Sequence, residues 1–300
     1  MVTKLEQLVE LVKAQGKKKL VAAYANDAHT IGAVSMAIDR GIIDGILVGD
    51  TATIKQVCAD EGIDVAKFTI VQEADETKAA AKAVEMVRNG EAAVLMKGLL
   101  TTDKYMRAIL NKERGLLPEK ATLSHVCVIE MPVYHKLVVV SDIAVIPAPD
   151  LKQKIVMTNN VINTARRLGI DKPKIAIITA TEQMMPGMPA CVDAAVIAKM
   201  ADRGQIRNAI VDGPLALDVA LDKEAVAIKK LQSPVAGDAD GLVFHSIEAA
   251  NAYFKAATKL LKSEMAGIVT GAKVPCVLTS RGDSTLAKLY SIALGILMAR

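Results

Sequence analysis

Ser280, Arg281 and Asp283 fall within four consecutive positions of the segment KVPCVLTSRGDSTLAKLYSIALG, residues 273–295. A hydroxyl can donate to a developing oxyanion. A guanidinium offers a planar five-donor fork that matches phosphate or carboxylate, and a carboxylate can accept a proton. A second group of similar types stands in LMKGLLTTDKYMRAIL, residues 95–110, where Lys97 and Gly98 are followed by Thr101, Thr102, Asp103 and Arg107. Both groups suit the handling of an anion. Each also has a plainer reading, in which Asp283 or Ser284 and Thr102 or Asp103 only cap helices while Arg281 and Lys97 lie in solvent.

The elements around them favour the anion reading. Val274, Val277 and Leu278 form an inner-strand pattern with Pro275 near its start, and Leu286, Leu289, Tyr290, Ala293 and Leu297 then recur at helical spacing, so a helix begins near Asp283 or Ser284. A helix that starts just beyond the carboxyl end of a parallel strand points unpaired N–H groups and a positive dipole end into the crevice above the sheet. The strand AAVLMKG, residues 92–98, with a helix opening after Thr101, repeats the arrangement.

The rest of the chain alternates in the same way. Strands are expected over 19–25, 44–49, 68–71, 174–179, 208–213, 240–244 and 266–271, and helices over 75–90, 151–169 and 246–262. That alternation predicts an α/β fold with mainly parallel sheet. Residues 125–149 break it: two β-rich runs are separated only by PVYH, too short for a helical crossover, which predicts an antiparallel pair. There the chain is expected to leave one α/β unit for another, near residue 130, with a ligand cleft between the two.

Composition narrows the function further. A net charge of +4 and 3% aromatic residues without Trp argue against nucleic-acid recognition. Although 52% of residues are hydrophobic, no apolar run is long enough to span a bilayer, and the amphipathic start MVTKLEQLVELVKAQ is not a signal peptide, so a cytoplasmic location is expected. Cys58, Cys127, Cys191 and Cys276 are too dispersed for a zinc site or a disulfide framework. His29, His125, His135 and His245 have no metal-ligand spacing, and no Gly-rich dinucleotide or Walker sequence is present. GKKKL at 16–20 reads as a solvated loop and GDADG at 237–241 as a turn.

Longer segments carry a family likeness. NNVINTARRLGIDKPKIAII, MPACVDAAVIAKMADRGQI, IVDGPLALDVAL, SPVAGDADGLV, AGIVTGAKVPCVLTSRGDS and KLYSIALG resemble, in order, the phosphate butyryltransferase branch of the phosphate acyltransferases. The resemblance spans nearly the whole chain. It implies reversible acyl transfer between coenzyme A and inorganic phosphate to give an acyl phosphate, with no metal or bound cofactor. It implies two α/β/α domains of the isocitrate/isopropylmalate dehydrogenase type, residues 1–130 plus 272–300 and residues 131–271, in a homo-oligomer of at least two copies. The expected catalytic set is Ser280, Arg281 and Asp283, and the expected substrate-binding set is Lys97, Gly98, Thr101, Thr102, Arg107, Ser124 and Thr279. Where the related acetyltransferases carry a catalytic acid seven positions beyond the serine, this chain has Ala287, so the base assignment does not transfer. A basic loop that those enzymes place before the Thr-Thr segment is also missing.

The chemistry tolerates the missing acid. Phosphate is already anionic near neutrality, and a thiol with a pKa of about 8.5 leaves without much proton assistance. What remains is to hold two anions in line, which suits Arg281 and Arg107, and to stabilise the oxyanion, which suits Ser280 and backbone N–H groups. Met184, Met185 and Met188 in TEQMMPGMPA offer flexible thioethers for a short acyl chain, or simply pack their loop. The competing readings are a phosphate acetyltransferase and a non-catalytic domain that binds acyl-CoA or phosphate as a regulator. A nicotinamide-dependent decarboxylating dehydrogenase ranks behind both.

Overall fold

The computed structural model describes residues 1–280 and 282–299. The chain divides into two compact units, one of Leu5–Leu123 with Ala266–Arg300, the other of Met1–Lys4 with Ser124–Met265. Each unit is α/β with a mainly parallel sheet.

In chain order the first unit contains α1 (Leu5–Lys13), β1 (Lys18–Ala23), α2 (Ala28–Asp39), β2 (Ile43–Gly49), α3 (Thr51–Asp60), β3 (Thr69–Gln72), α4 (Glu76–Arg88), β4 (Val94–Lys97) and α5 (Thr102–Leu110). The chain then builds the second unit from β5 (Ser124–Glu130), β6 (Val138–Ser141), α6 (Leu151–Arg167), β7 (Lys174–Ile178), α7 (Pro189–Asp202), β8 (Ile210–Leu215), α8 (Leu217–Leu221), α9 (Lys223–Lys229), β9 (Gly241–Val243) and α10 (Ile247–Lys255). It returns through β10 (Glu264–Thr270), β11 (Cys276–Val277) and α11 (Thr285–Met298).

The strands of the first unit run in the order β3-β2-β1-β4-β11-β10. All but β10 are parallel, and β10 pairs antiparallel with β11. From β1 the chain winds outward through β2 and β3, then crosses back to place β4 on the other side of β1. The gap between the carboxyl ends of β1 and β4 is therefore the topological switch point, where open α/β sheets bind ligands. In the second unit β5-β6-β9-β7-β8 lie in that order, with β5 antiparallel to β6 as the short PVYH connection requires. The segment 246–262 is helical for a shorter span than the sequence suggests, giving way at Ala256–Leu260 to a π-helical turn.

One helix positions the turn at 279–283. Nearly all of α11 is buried, and Gly295 lets it lie flush on the sheet: a Cβ there would come within 3.1 Å of Val94 and 3.2 Å of Val277. Its Ser291 hydroxyl bonds the Ala287 carbonyl at 2.7 Å and receives the N–H of Gly267 at 2.9 Å. At the far end Lys18 Nζ donates to the Ala299 carbonyl at 2.8 Å, so a lysine of GKKKL caps α11 instead of lying in a solvated loop. The strand before the turn shrinks to Cys276–Val277 because Pro275 has no N–H for the ladder, although its carbonyl still accepts the N–H of Leu95.

Candidate active site

Three loops leave adjacent strands at one edge of the first unit. The register of β1 with β4 sets Ala23 beside Lys97, and that of β11 with β4 sets Val277 beside Met96. Beyond these residues run Tyr24–Asp27, Gly98–Thr101 and Leu278–Ser284, each ending at a helix N-cap. Asp27 accepts the N–H of Thr30 at 2.9 Å, Thr101 that of Lys104 at 3.3 Å, and Ser284 that of Ala287 at 3.1 Å. Three helix N-termini thus open at the edge that holds the switch point, an electropositive setting for an anion.

The first two loops touch through their backbones. Gly98 and Leu99 donate to the carbonyls of Ala23 and Tyr24, each at 2.9 Å. A Cβ on Gly98 would stand 2.6 Å from the Ala23 carbonyl oxygen and 2.8 Å from the Tyr24 carbonyl carbon. Only glycine allows that approach. Tyr24 itself sits at φ 57°, a left-handed conformation costly for a bulky residue and of the kind that collects at binding loops. Lys97, which the plainer reading of the sequence leaves in solvent, is buried to 4% exposure and donates to the Gly98 carbonyl at 3.3 Å.

In the third loop, Ser280 and Asp283 close a turn. Asp283 N–H donates to the Ser280 carbonyl at 3.2 Å, and the Asp283 Oδ2 accepts the Ser280 N–H at 2.7 Å. Ser284, not Asp283, caps α11. Thr279 is buried and Ser280 exposed. Arg281, central to the sequence reading, lies outside the described residues.

Lys288 is the residue the sequence reading passed over. It is 4% exposed, and its Nζ donates to the Ser280 carbonyl at 3.0 Å and lies 3.4 Å from the Thr279 hydroxyl oxygen. Burial pushes its pKa below the ordinary lysine value, against the opposing pull of Asp283 and Asp27. A signal existed: Lys288 is the lone charge in LAKLYSIALGILMA.

The remaining candidates are placed differently. Thr101 is the N-cap of α5, its N–H is taken by Glu76 at 2.7 Å, and Glu76 also pairs with Lys104. A carboxylate thus already occupies part of that helix start. Thr102 is exposed, and Arg107 projects from α5 with a side chain 79% exposed, paired to Asp103 at 2.9 Å. Ser124 belongs to the second unit, fully buried at the start of β5, where it accepts from Asn160 at 2.8 Å. A cleft of about 710 Å³ between α4 and α5 is lined by Lys78, Lys82, Arg88 and Arg114 among others, and by none of the residues read as site residues.

Comparison with known proteins bears on this geometry. The family model described as phosphate acetyl/butaryl transferase matches residues 3–82 and 72–296. The chain is 44% identical over 299 residues to a phosphate butyryltransferase of Clostridium acetobutylicum, covering 100% of this chain and 99% of that one. It is 40% identical over 295 residues to a phosphate acetyltransferase of Thermotoga maritima, covering 98% and 99%. The crystal structure of a branched-chain phosphotransacylase from Enterococcus faecalis V583 superimposes with a TM-score of 0.80 at 30% identity, over 94% of this chain and 100% of that one. A match of this length and identity means that the chain belongs to the phosphate acetyl/butaryl transferase family.

Proposed function

We propose that this protein transfers a short-chain acyl group, butyryl or one of similar size, reversibly between coenzyme A and inorganic phosphate. The observation that carries the reading is the turn at 279–283. Its hydroxyl-bearing residue sits at the start of a buried helix beside the switch-point strands, in a chain whose 44% identical relative is a phosphate butyryltransferase. Hydrogen phosphate attacks the thioester carbonyl, the tetrahedral adduct expels the thiolate, and the phosphate proton ends on the coenzyme A thiol. Ser280 donates its hydroxyl to the oxyanion, its own N–H being already engaged by Asp283. Arg281 binds the phosphate, as the family resemblance implies. Asp283 orients Ser280. Lys97, Gly98, Thr101, Thr102, Arg107, Ser124 and Thr279 are the substrate-binding residues of this proposal.

With the activity go a cytoplasmic location, a homo-oligomer of at least two copies, and an architecture of the isocitrate/isopropylmalate dehydrogenase type in which the two units are the two α/β/α domains. The test is phosphate-dependent release of free thiol from acetyl-, propionyl-, butyryl- and branched acyl-CoA. Release from butyryl-CoA is expected to be fastest at equal low concentration. Faster use of acetyl-CoA would make the protein an acetyltransferase, a reading that the Thermotoga maritima relative at 40% identity favours. No release from any thioester would leave a regulatory binding role.

A further inference from the structure

We propose that Lys288 is a positioning residue of this site, its buried ammonium clamping the Ser280 peptide so that the Ser280 hydroxyl meets the reacting acyl group. The inference rests on the acyl-transfer reading above. Ser280 is gripped on both sides: Asp283 Oδ2 takes its N–H at 2.7 Å, and Lys288 Nζ donates to its carbonyl at 3.0 Å. With the Thr279 hydroxyl oxygen 3.4 Å from the same ammonium, the backbone between the sheet and the helix is fixed from inside the protein. The N–H and the carbonyl belong to the two peptide groups that flank the Ser280 Cα, so each of those groups is held by one charged side chain.

Packing alone gives no reason for a charge at this place. The helix fills its other buried positions with residues such as Leu289, Ile292, Ala293 and Ile296, and Tyr290 and Ser291 have their hydroxyls bonded within the protein. Burying an ammonium carries a desolvation penalty that a leucine or methionine would avoid. Nor is Lys288 needed to hold the helix, which is fixed by the Ser284 cap, the Ser291 bonds and the Lys18 cap. The countercharges are Asp283 and Asp27, both within Coulombic range of the ammonium. Asp27 Oδ1 caps α2, while its Oδ2 is buried and has no hydrogen-bond partner among the described residues.

A double-mutant cycle tests this. Lys288→Met should lower kcat for thiol release by about 10²-fold, with the KM for butyryl-CoA and for phosphate changed by less than about threefold. In a Ser280→Ala background the same change should cost less than about a further threefold, because its effect passes through the hydroxyl already removed. Lys288→Met with near-normal kcat, or losses that multiply in full in the double variant, would overturn the proposal. If the Met variant does not fold, Lys288→Leu, which also removes the donor to the Ser280 carbonyl, enters the same cycle with the same expectations. Absence of thiol release from the unmutated protein would sink the acyl-transfer reading itself, whereas an active parent with an unaffected Lys288→Met variant sinks this inference alone.

Discussion

Asp283 accepts the backbone N–H of Ser280 at 2.7 Å, and this bond separates two roles that the sequence left open for the aspartate. A proton-transfer group must gain and lose a proton, whereas an anchor needs only an acceptor oxygen. Asp283→Asn keeps the acceptor and removes the titration. Turnover within about fivefold of the parent is expected for Asn, and a drop of about 10-fold or more for Asp283→Ala, since a hydrogen bond to a charged group contributes about 1.5–3 kcal/mol. Steady-state thiol release by the two variants is the measurement. Equal and large losses in both would return Asp283 to proton transfer.

Ser280→Ala isolates the hydroxyl. The bond to Asp283 and the bond from Lys288 both use the backbone of residue 280, so alanine preserves them. Turnover should fall by roughly 10²-fold, the usual cost of one lost oxyanion donor, with little change in either KM. Stability should stay within about 0.5 kcal/mol, as for other exposed substitutions. Chemical denaturation beside the kinetics separates a catalytic loss from an unfolded variant, and an undiminished kcat removes Ser280 from the reaction.

The strand and helix alternation was legible in the sequence because apolar runs and helical spacing are local signals, and the antiparallel β5–β6 pair was legible because PVYH cannot hold a crossover. Adjacent residues competing for one cap were not separable: Ser284 rather than Asp283 caps α11, and Thr101 rather than Thr102 or Asp103 caps α5, because cap geometry is decided by a backbone angle that no spacing reports. Glu76 at the N–H of Thr101 joins residues 25 positions apart, and Lys18 at the Ala299 carbonyl joins the chain's two ends. Neither pairing leaves a trace in local pattern. Lys288 was visible as a charge in an apolar helix, but reading the helix by its apolar period passes over the one residue that interrupts it.

Gly98→Ala tests the contact between the β1 and β4 loops. The added methyl would meet backbone, the Ala23 carbonyl oxygen at 2.6 Å, so no side-chain rotation can relieve it. The loops must part. Overpacking of this kind costs about 1–3 kcal/mol, and the shift falls at the switch point, so affinity for phosphate or acyl-CoA should weaken along with stability. Thermal melting and both KM values report the two effects. A variant with wild-type melting and wild-type KM values would mean that the loops are not held as close as this geometry requires.

In the second unit, GDADG is more than the turn it resembles. Asp238 lies 2.9 Å from Lys136 Nζ, 2.8 Å from Lys174 Nζ and 3.0 Å from His135 Nε2, while Asp240 receives Lys136 Nζ at 2.7 Å and the N–H of Lys174 at 2.7 Å. These bonds tie the starts of β6, β7 and β9 together. Desolvation alone would raise the Asp238 pKa, but the hydrogen bonds from Lys174 and Lys136 and the Lys136 charge outweigh it and hold the carboxyl well below the usual range. A depressed folded-state pKa means that the unfolded chain binds the proton first as pH falls. The stabilisation is thus fully present above the unfolded Asp pKa of about 3.9 and is lost as pH drops from there toward the lower folded value. Asp238→Asn should therefore destabilise the protein by about 1–2 kcal/mol at pH 7, given the partial exposure of the cluster, and this deficit should shrink below about pH 4. Urea denaturation of both proteins at pH 7 and at pH 3 measures it, and a deficit that is constant or larger in acid would show that the Asp238 charge does not stabilise these strands.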